Sequence, residues 1–327
     1  MTVSPGIHLN VPHDDYIADP CDTPSLNAGT CKTLLTASPR HAWTGHAKLN
    51  PEWEPSNNPT FDIGSAAHTY YLQDGRGIAE IHHESWRTKD AKEQREAAIA
   101  TGKVPLLTHH HEQVKAMAAA LKAQLSQHEV GDPMEQPGES EVTLIWNEGA
   151  TLCRARIDRM PEVKGTTAIV YDYKTTATSV APDSIVRYAE QQQWMIQAEF
   201  YSRGVAALYG VERVVFRFIA QENKPPYAVS VLDFTPMSLG FAERKVRYAL
   251  GVWQQCLSTD TWPGYDRRVI SIEPPEWAQA AWQDREDRGH ASVSVEAISN
   301  MLHWQAPIRP IRDSSKQGEN SGTENTD

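Results

Sequence analysis

Asp172 and Lys174 stand two residues apart in Val170-Tyr171-Asp172-Tyr173-Lys174, a β-branched and aromatic run that predicts a strand. On a strand that spacing sends both side chains from one face, so a carboxylate and an ammonium address one site. Asp158 closes an alternating run, Leu152, Arg154, Arg156, Asp158, fourteen residues before Asp172. An antiparallel meander would bring it beside Asp172. Carboxylates so placed repel, and they need a bound cation or a shared proton to be tolerated. Oxygen donors favour Mg²⁺ or Mn²⁺. An ion held by Asp158, Asp172 and the carbonyl of Tyr173 would polarise a phosphodiester and lower the pKa of an attacking water. Lys174 would orient that water or stabilise the charge that grows in the transition state. An Asp-x-Lys pair alone is more often a solvated salt bridge of little energy, so the surrounding elements decide its meaning.

Those elements follow from periodicity. Thr30 to Gly45 carries Leu34, Leu35 and Ala42 at helical spacing, broken by Pro39, and predicts one or two short helices. A stronger helix is expected after Pro59, capped by Asp62 and running through Ile63, Ala66, Ala67, His68, Tyr70 and Tyr71. Helical stretches at 90–101 and 107–128 follow, then a polar break from Gly131 to Gly138. Val142, Leu144 and Trp146 then alternate with polar neighbours, Asn147-Glu148-Gly149 supplies a turn, and Leu152 to Met160 alternates again: a hairpin. Thr167 to Thr175 is a third strand, Ser184 to Tyr209 one long helix, Val211 to Gln221 and Tyr227 to Phe234 two further strands, and Pro236 to Leu257 a helix. Residues 273–303 add one or two helices. This order suits an α/β or α+β core with a central mixed sheet flanked by helices.

The expected organisation is an extended arm over 1–29 and a domain over 30–305, with a helical part at 30–130 and a sheet-containing core at 139–258. A disordered tail is expected over 306–327, because its last fifteen residues, DSSKQGENSGTENTD, hold no large apolar side chain. The net charge of −11, from 31 basic and 42 acidic residues, argues against a protein that coats nucleic acid nonspecifically. It leaves room for a local basic groove beside a metal-binding carboxylate cluster. No apolar run long enough to span a bilayer and no signal-peptide pattern is present, so no membrane partner is expected and the expected compartment is the cytoplasm. His109-His110-His111 and His82-His83 read as solvated residues, because consecutive helical side chains diverge. Trp86, Trp194, Trp253 and Trp262 read first as core.

Taken together, Gly64-Ser65-Ala66-Ala67-His68, Arg156-Ile157-Asp158, Asp172-Tyr173-Lys174-Thr175-Thr176 and Gln197-Ala198-Glu199-Phe200-Tyr201 resemble the PD-(D/E)XK nuclease superfamily. The resemblance is specifically to its RecB-like and RecE-like branch, of the exonuclease VIII type associated with phage recombination, over about residues 30–235. It implies a restriction-endonuclease-like core. It also implies that His68, Asp158 and Asp172 are metal ligands, Lys174 the catalytic lysine, and Gln197 and Tyr201 active-site helix residues. Gln197 and Tyr201 are four apart and share a helix face, with Gln193 one turn back. An additional acidic ligand is implied before the Asp pair, with Glu139 or Glu141 nearest and Glu141 carried forward as the further ligand. Ser38-Pro39-Arg40-His41 resembles the Ser-Pro element of RecE-like proteins, where Arg40 would contact a DNA end phosphate. Some relatives hold an iron–sulfur cluster through one upstream and three clustered downstream cysteines. Cys21, Cys31, Cys153 and Cys256 lack that spacing, so no such cluster is expected.

The function so implied is a Mg²⁺- or Mn²⁺-dependent exodeoxyribonuclease that degrades one strand of linear duplex DNA and leaves single strand for an annealing recombinase. A ring-shaped homo-oligomer in the cytoplasm of a bacterial or phage-infected cell goes with it. The residues alone leave open a structure-selective or single-strand endonuclease, and a noncatalytic DNA-binding scaffold.

Overall fold

A computed structural model describes residues 2–55, 63–73 and 76–288. The chain divides into a compact unit, Met1–Tyr265, and a second, Asp266–Asp327. In chain order the first unit holds β1 (Gly6–His8), α1 (His13–Ile17), α2 (Ala28–Thr36), α3 (Pro39–Thr44), α4 (Ile63–Leu72), β2 (Ile78–Ile81), α5 (Lys89–Ala100), β3 (Val104–Leu107) and α6 (Thr108–Leu125). It continues through β4 (Gly138–Glu148), β5 (Thr151–Pro161), β6 (Thr167–Thr176), α7 (Pro182–Gln191), α8 (Trp194–Tyr209), β7 (Arg213–Glu222), β8 (Val229–Leu232) and α9 (Pro236–Thr259). The described part of the second unit contains α10 (Glu276–Asp287). No described helix is long and apolar enough to cross a membrane.

Local chemistry explains several boundaries. Asn27, Thr88 and Thr235 each accept a backbone N–H at the start of α2, α5 and α9, satisfying donors that the helix itself leaves unpaired. Gly210 ends α8 in the left-handed region at φ 64° and returns its N–H to Ala206. Gly149 turns the β4–β5 hairpin at φ 61°.

Six strands form one sheet in the order β1-β4-β5-β6-β7-β8. All neighbours run antiparallel except β6 and β7, which are parallel and joined by the α7–α8 crossover. The sheet is therefore mixed. On one face Ala168, Val170, Phe216 and Phe218 pack with residues of α2, α8 and α9, among them Leu34, Phe200 and Trp253. On the other, Tyr171, Tyr173 and Ile219 pack with Ala67 and Tyr71 of α4 and Met117 and Leu121 of α6. Helices thus cover both faces, as the alternation along β6 requires.

Three features depart from the sequence pattern. The single helix expected over Ser184–Tyr209 is two, because Gln193 adopts a left-handed φ of 52° and redirects the chain. That turn seats Trp194 against Phe218, with ring centroids 4.9 Å apart. A second sheet pairs β2 with β3 in parallel, and neither strand was anticipated; each is four residues long, too short for a periodic signal. Finally, the N-terminal residues are tied to the sheet. β1 pairs with β4 from Gly6↔Ile145 to His8↔Thr143, and Val3, Val11, Tyr16 and Cys21 form a small core with Ile145. Asp62 as a helix cap, the segment beyond 288 and the expected tail lie outside the described residues.

Candidate active site

The β4–β5 register pairs Ser140 with Arg159 and Val142 with Ile157, which sets Glu141 opposite Asp158. Glu141 itself leaves the ladder, with a left-handed φ of 57°. A non-glycine residue in that region is strained by about 1–3 kcal/mol, and such strain concentrates at functional sites. On the other side of β5, Arg159 pairs with Tyr171, so the next position sets Asp158 opposite Asp172. There the backbone ladder gives way to a side-chain bond, the Tyr173 N–H donating to Asp158 Oδ2 at 2.8 Å. Glu141, Asp158 and Asp172 consequently occupy neighbouring positions on three adjacent strands.

His68 reaches them from α4. Its helix is anchored by Ala67 and Tyr71 in the core, and the Tyr71 hydroxyl donates to Asp132 at 2.8 Å. His68 Nε2 lies 3.0 Å from Asp158 Oδ2, and Nδ1 lies 3.7 Å from Glu141 Oε1. From the opposite face α8 contributes Gln197, whose side-chain amide donates to Asp172 Oδ2, while Lys174 pairs with Asp172 Oδ1. Arg156 donates through Nε to Glu141 Oε2 and at 2.9 Å to the Val11 carbonyl. These residues, with His13, Ser65, Arg76, Tyr173, Thr175 and Tyr201, line a hollow of about 460 Å³. A second hollow of about 640 Å³ shares His13, Arg76, Glu141 and Arg156, so the two are neighbours across these side chains.

The electrostatics are those of a crowded acidic site. Burial and the charge of Asp158 push the Asp172 carboxyl up to about 6, against the pull of Lys174. Asp158 moves the other way: burial opposes its ionisation, but His68, Lys174 and the Tyr173 N–H outweigh it and lower its pKa. Burial chiefly raises Glu141. Burial also opposes the charged forms of His68 and Lys174, yet the carboxylates beside them raise both. One carboxylate is thus held ionised while two resist ionisation.

This donor set fits a divalent cation. His68, Glu141 and Asp158 each offer an atom within 4.8 Å of the others, the one such group among the described residues. Glu141 Oε1 is buried and accepts no hydrogen bond from the protein. An unsatisfied carboxylate oxygen is costly, and a cation at that point would satisfy it. Asp172 stands beside the group rather than in it, engaged by Lys174 and Gln197.

Of the residues singled out from sequence, His68, Glu141, Asp158, Asp172, Tyr173, Lys174, Gln197 and Tyr201 converge on this hollow. Tyr173 turns its ring away, its hydroxyl bonding Gln221 among the core residues of the opposite face. Glu139 is exposed and outside the lining. Gln193 is not in the lining either; it accepts a hydrogen bond from Lys245. Arg40 is exposed on α3, over the Trp43 ring, and does not line the hollow. His111, from the triple-histidine run, pairs with Glu80 at 2.9 Å. Arg156, Arg76 and His13 line the site without having been singled out for it. Lys32 on α2 is also electrostatically linked to it: burial and the nearby Lys174 lower its pKa to about 8. Only the Arg-Ile-Asp spelling of the second motif placed Arg156 near the chemistry; nothing local marked the others.

A mixed sheet with a parallel crossover, bearing Asp158, Asp172 and Lys174 on neighbouring strands, defines the PD-(D/E)XK class of nuclease folds. The chain belongs to the family described as a PDDEXK-like domain of unknown function (DUF3799), whose model matches residues 32–269. No curated protein matches it. Among solved structures it is similar to a "putative exonuclease" from Eubacterium rectale at 13% identity, over 84% of this chain and 99% of that one, with a TM-score of 0.52. That likeness is one of fold. It is also similar to the protein SSO0001 at 14% identity over 58% of this chain and 85% of that one, but the TM-score of 0.25 carries no argument.

Proposed function

We propose that this protein is a divalent-metal-dependent deoxyribonuclease, acting as an exonuclease on one strand of linear duplex DNA. The observation that carries the reading is the meeting of His68, Glu141 and Asp158 as a donor cluster directly beside the Asp172–Lys174 pair. Mg²⁺ or Mn²⁺, held by His68, Glu141, Asp158, Asp172 and the Tyr173 carbonyl, would supply Lewis-acid polarisation of a phosphodiester and a lowered pKa for water.

The chain's own residues do the rest. Lys174 places a full positive charge where negative charge grows in the transition state. Gln197 fixes one oxygen of Asp172 and Lys174 the other, which holds that carboxylate in a single orientation. Arg156 fixes Glu141 in the same way and leaves its second oxygen aimed at the cluster. Tyr201, on the same face of α8 as Gln197, closes the wall of the hollow against Phe216.

Action from a DNA end is supported by the RecE-like motifs and by the fold shared with the protein described as a "putative exonuclease". In this reading Arg40 meets a terminal phosphate, a homo-oligomeric ring retains the duplex, and an annealing recombinase receives the exposed strand in the cytoplasm of a bacterial or phage-infected cell. The test offers linear duplex, covalently closed duplex and circular single strand in Mg²⁺, Mn²⁺ or EDTA. Loss of linear duplex alone, stopped by EDTA, is expected; cutting of either circle would exclude the exonuclease reading.

A further inference from the structure

The solvent face of α9 is not a typical exposed helix face. Met237, Phe241 and Tyr248 are 84, 43 and 66% exposed, spaced four and seven residues apart on one stripe. Large exposed side chains aligned on one helix face mark a candidate contact surface. Cations are interleaved with it. The Arg244 guanidinium lies 5.5 Å and the Lys245 ammonium 4.7 Å from the Phe241 ring centre. Arg247 is occupied by Glu243, whereas Arg244 has no carboxylate partner among the described residues.

Two glycines lie on the same face. Gly240 and Gly251 are eleven residues apart, about three turns, and a Cβ on either would meet nothing within 4 Å. Glycine weakens a helix interior, and packing among the described residues does not require it at either position. Both positions instead allow something outside the chain to approach the backbone closely.

The stripe's helix is also tied to the start of α8, the helix that carries Gln197. Lys245 donates to Gln193 at 2.9 Å, and Gln193 stands one turn before Gln197, which holds Asp172. Given the nuclease reading above, on which this inference rests, we propose that the α9 stripe binds single-stranded nucleic acid leading to or from the active site. Phe241 and Tyr248, about 10 Å apart along the helix at 1.5 Å per residue, stack on bases, and Arg244 meets a phosphate, while Lys245 is held by Gln193 and lies 4.0 Å from Glu190. A second copy of the chain fits less well. Two stripes crossing antiparallel about their midpoint would place Arg244 against Arg244, a like-charge contact.

The test titrates the full chain in EDTA with a fluorescein-labelled oligodeoxythymidylate, read by anisotropy. Phe241→Ala/Tyr248→Ala should bind at least about tenfold more weakly with an unchanged Tm, since base stacking is lost at two exposed positions. Arg244→Ala should weaken binding and lower the salt dependence by about one ion. Gly251→Leu should weaken binding while Tm holds or rises. An affinity within twofold of wild type in the double variant overturns the proposal. So does a change in sedimentation state without a change in oligonucleotide affinity, which would make the stripe a protein interface. If wild type degrades DNA and Asp172→Asn does not, that failure is of the stripe alone; a wild-type chain that neither degrades DNA nor binds the oligonucleotide overturns both readings.

Discussion

His68 Nε2 lies 3.0 Å from Asp158 Oδ2, although one residue is on a helix over the sheet and the other on a strand ninety positions later. The contact joins the helical part of the chain to the sheet at the point where the β5–β6 ladder is interrupted by the bond from Tyr173 N–H to Asp158. On its other side the His68 ring faces Glu141 Oε1 at 3.7 Å, a buried oxygen that accepts no hydrogen bond from the protein. The imidazole thus lies between two carboxylates, which together raise its pKa against the effect of burial.

Metal affinity should depend on all three donors. Titrating Mn²⁺ alone into the protein by calorimetry, we expect one site, with affinity reduced at least about tenfold in Glu141→Gln and in His68→Ala. Equal affinity in the variants would remove Glu141 and His68 from the site.

Removing the lysine charge should slow the reaction without abolishing metal binding. Lys174→Met is expected to lower DNA hydrolysis by about 10²–10³-fold, the usual cost of one positioned charge at a transition state. Mn²⁺ binding should persist, so the two measurements separate ligation from chemistry.

Packing of α8 on the sheet sets the position of Gln197. A Cβ at Gly204 would fall 2.7 Å from the Trp146 ring, so Gly204→Ala should destabilise the protein by about 1–3 kcal/mol. A thermal scan should show Tm lowered by several degrees, and the same substitution should cost much less in a Trp146→Leu background, where the space is vacated.

A buried polar network away from the hollow gives an acid-dependent prediction. Asp19 accepts from Ser25 N–H and Oγ and lies 3.2 Å from His46 and 3.1 Å from Arg154. Burial would raise its pKa, but His46, Arg154 and Ser25 together lower it to about 2. A depressed carboxyl contributes stability above its ordinary value near 3.8, and that contribution is lost as pH falls through about 2. Asn tolerates the left-handed φ of 61° at this position. Asp19→Asn should therefore cost about 3 kcal/mol in urea unfolding at pH 6, with the gap to wild type closing between about pH 4 and pH 2.

Spacing alone reached Asp158, Asp172 and Lys174, whereas His68, Gln197 and Tyr201 rested on the motif resemblance. The alternation of Val170, Asp172 and Lys174 fixed their common face, and the Asn147-Glu148-Gly149 turn fixed the hairpin that delivers Asp158. What stayed hidden depends on long-range geometry. Nothing in Gly138–Glu148 announces that Glu141 takes a left-handed conformation and leaves its ladder. The α7–α8 break was hidden because helical periodicity continues through Gln193, and only the burial of Trp194 against Phe218 reveals why the chain turns. Arg156 looked like one of three similar arginines near Asp158. The structure separates them, Arg154 to Asp19, Arg156 to Glu141 and Arg159 to the carbonyls of Pro133, Gln136 and Gly138.

One site, organised around Asp172, is proposed to perform metal-dependent hydrolysis of DNA. Its most direct test incubates end-labelled linear duplex with wild type and Asp172→Asn in Mg²⁺, in Mn²⁺ and in EDTA. Degradation by wild type in either metal, none in EDTA, and loss of activity in a variant that remains folded by circular dichroism are expected. Degradation by Asp172→Asn at the wild-type rate, or undiminished by EDTA, would contradict the proposal.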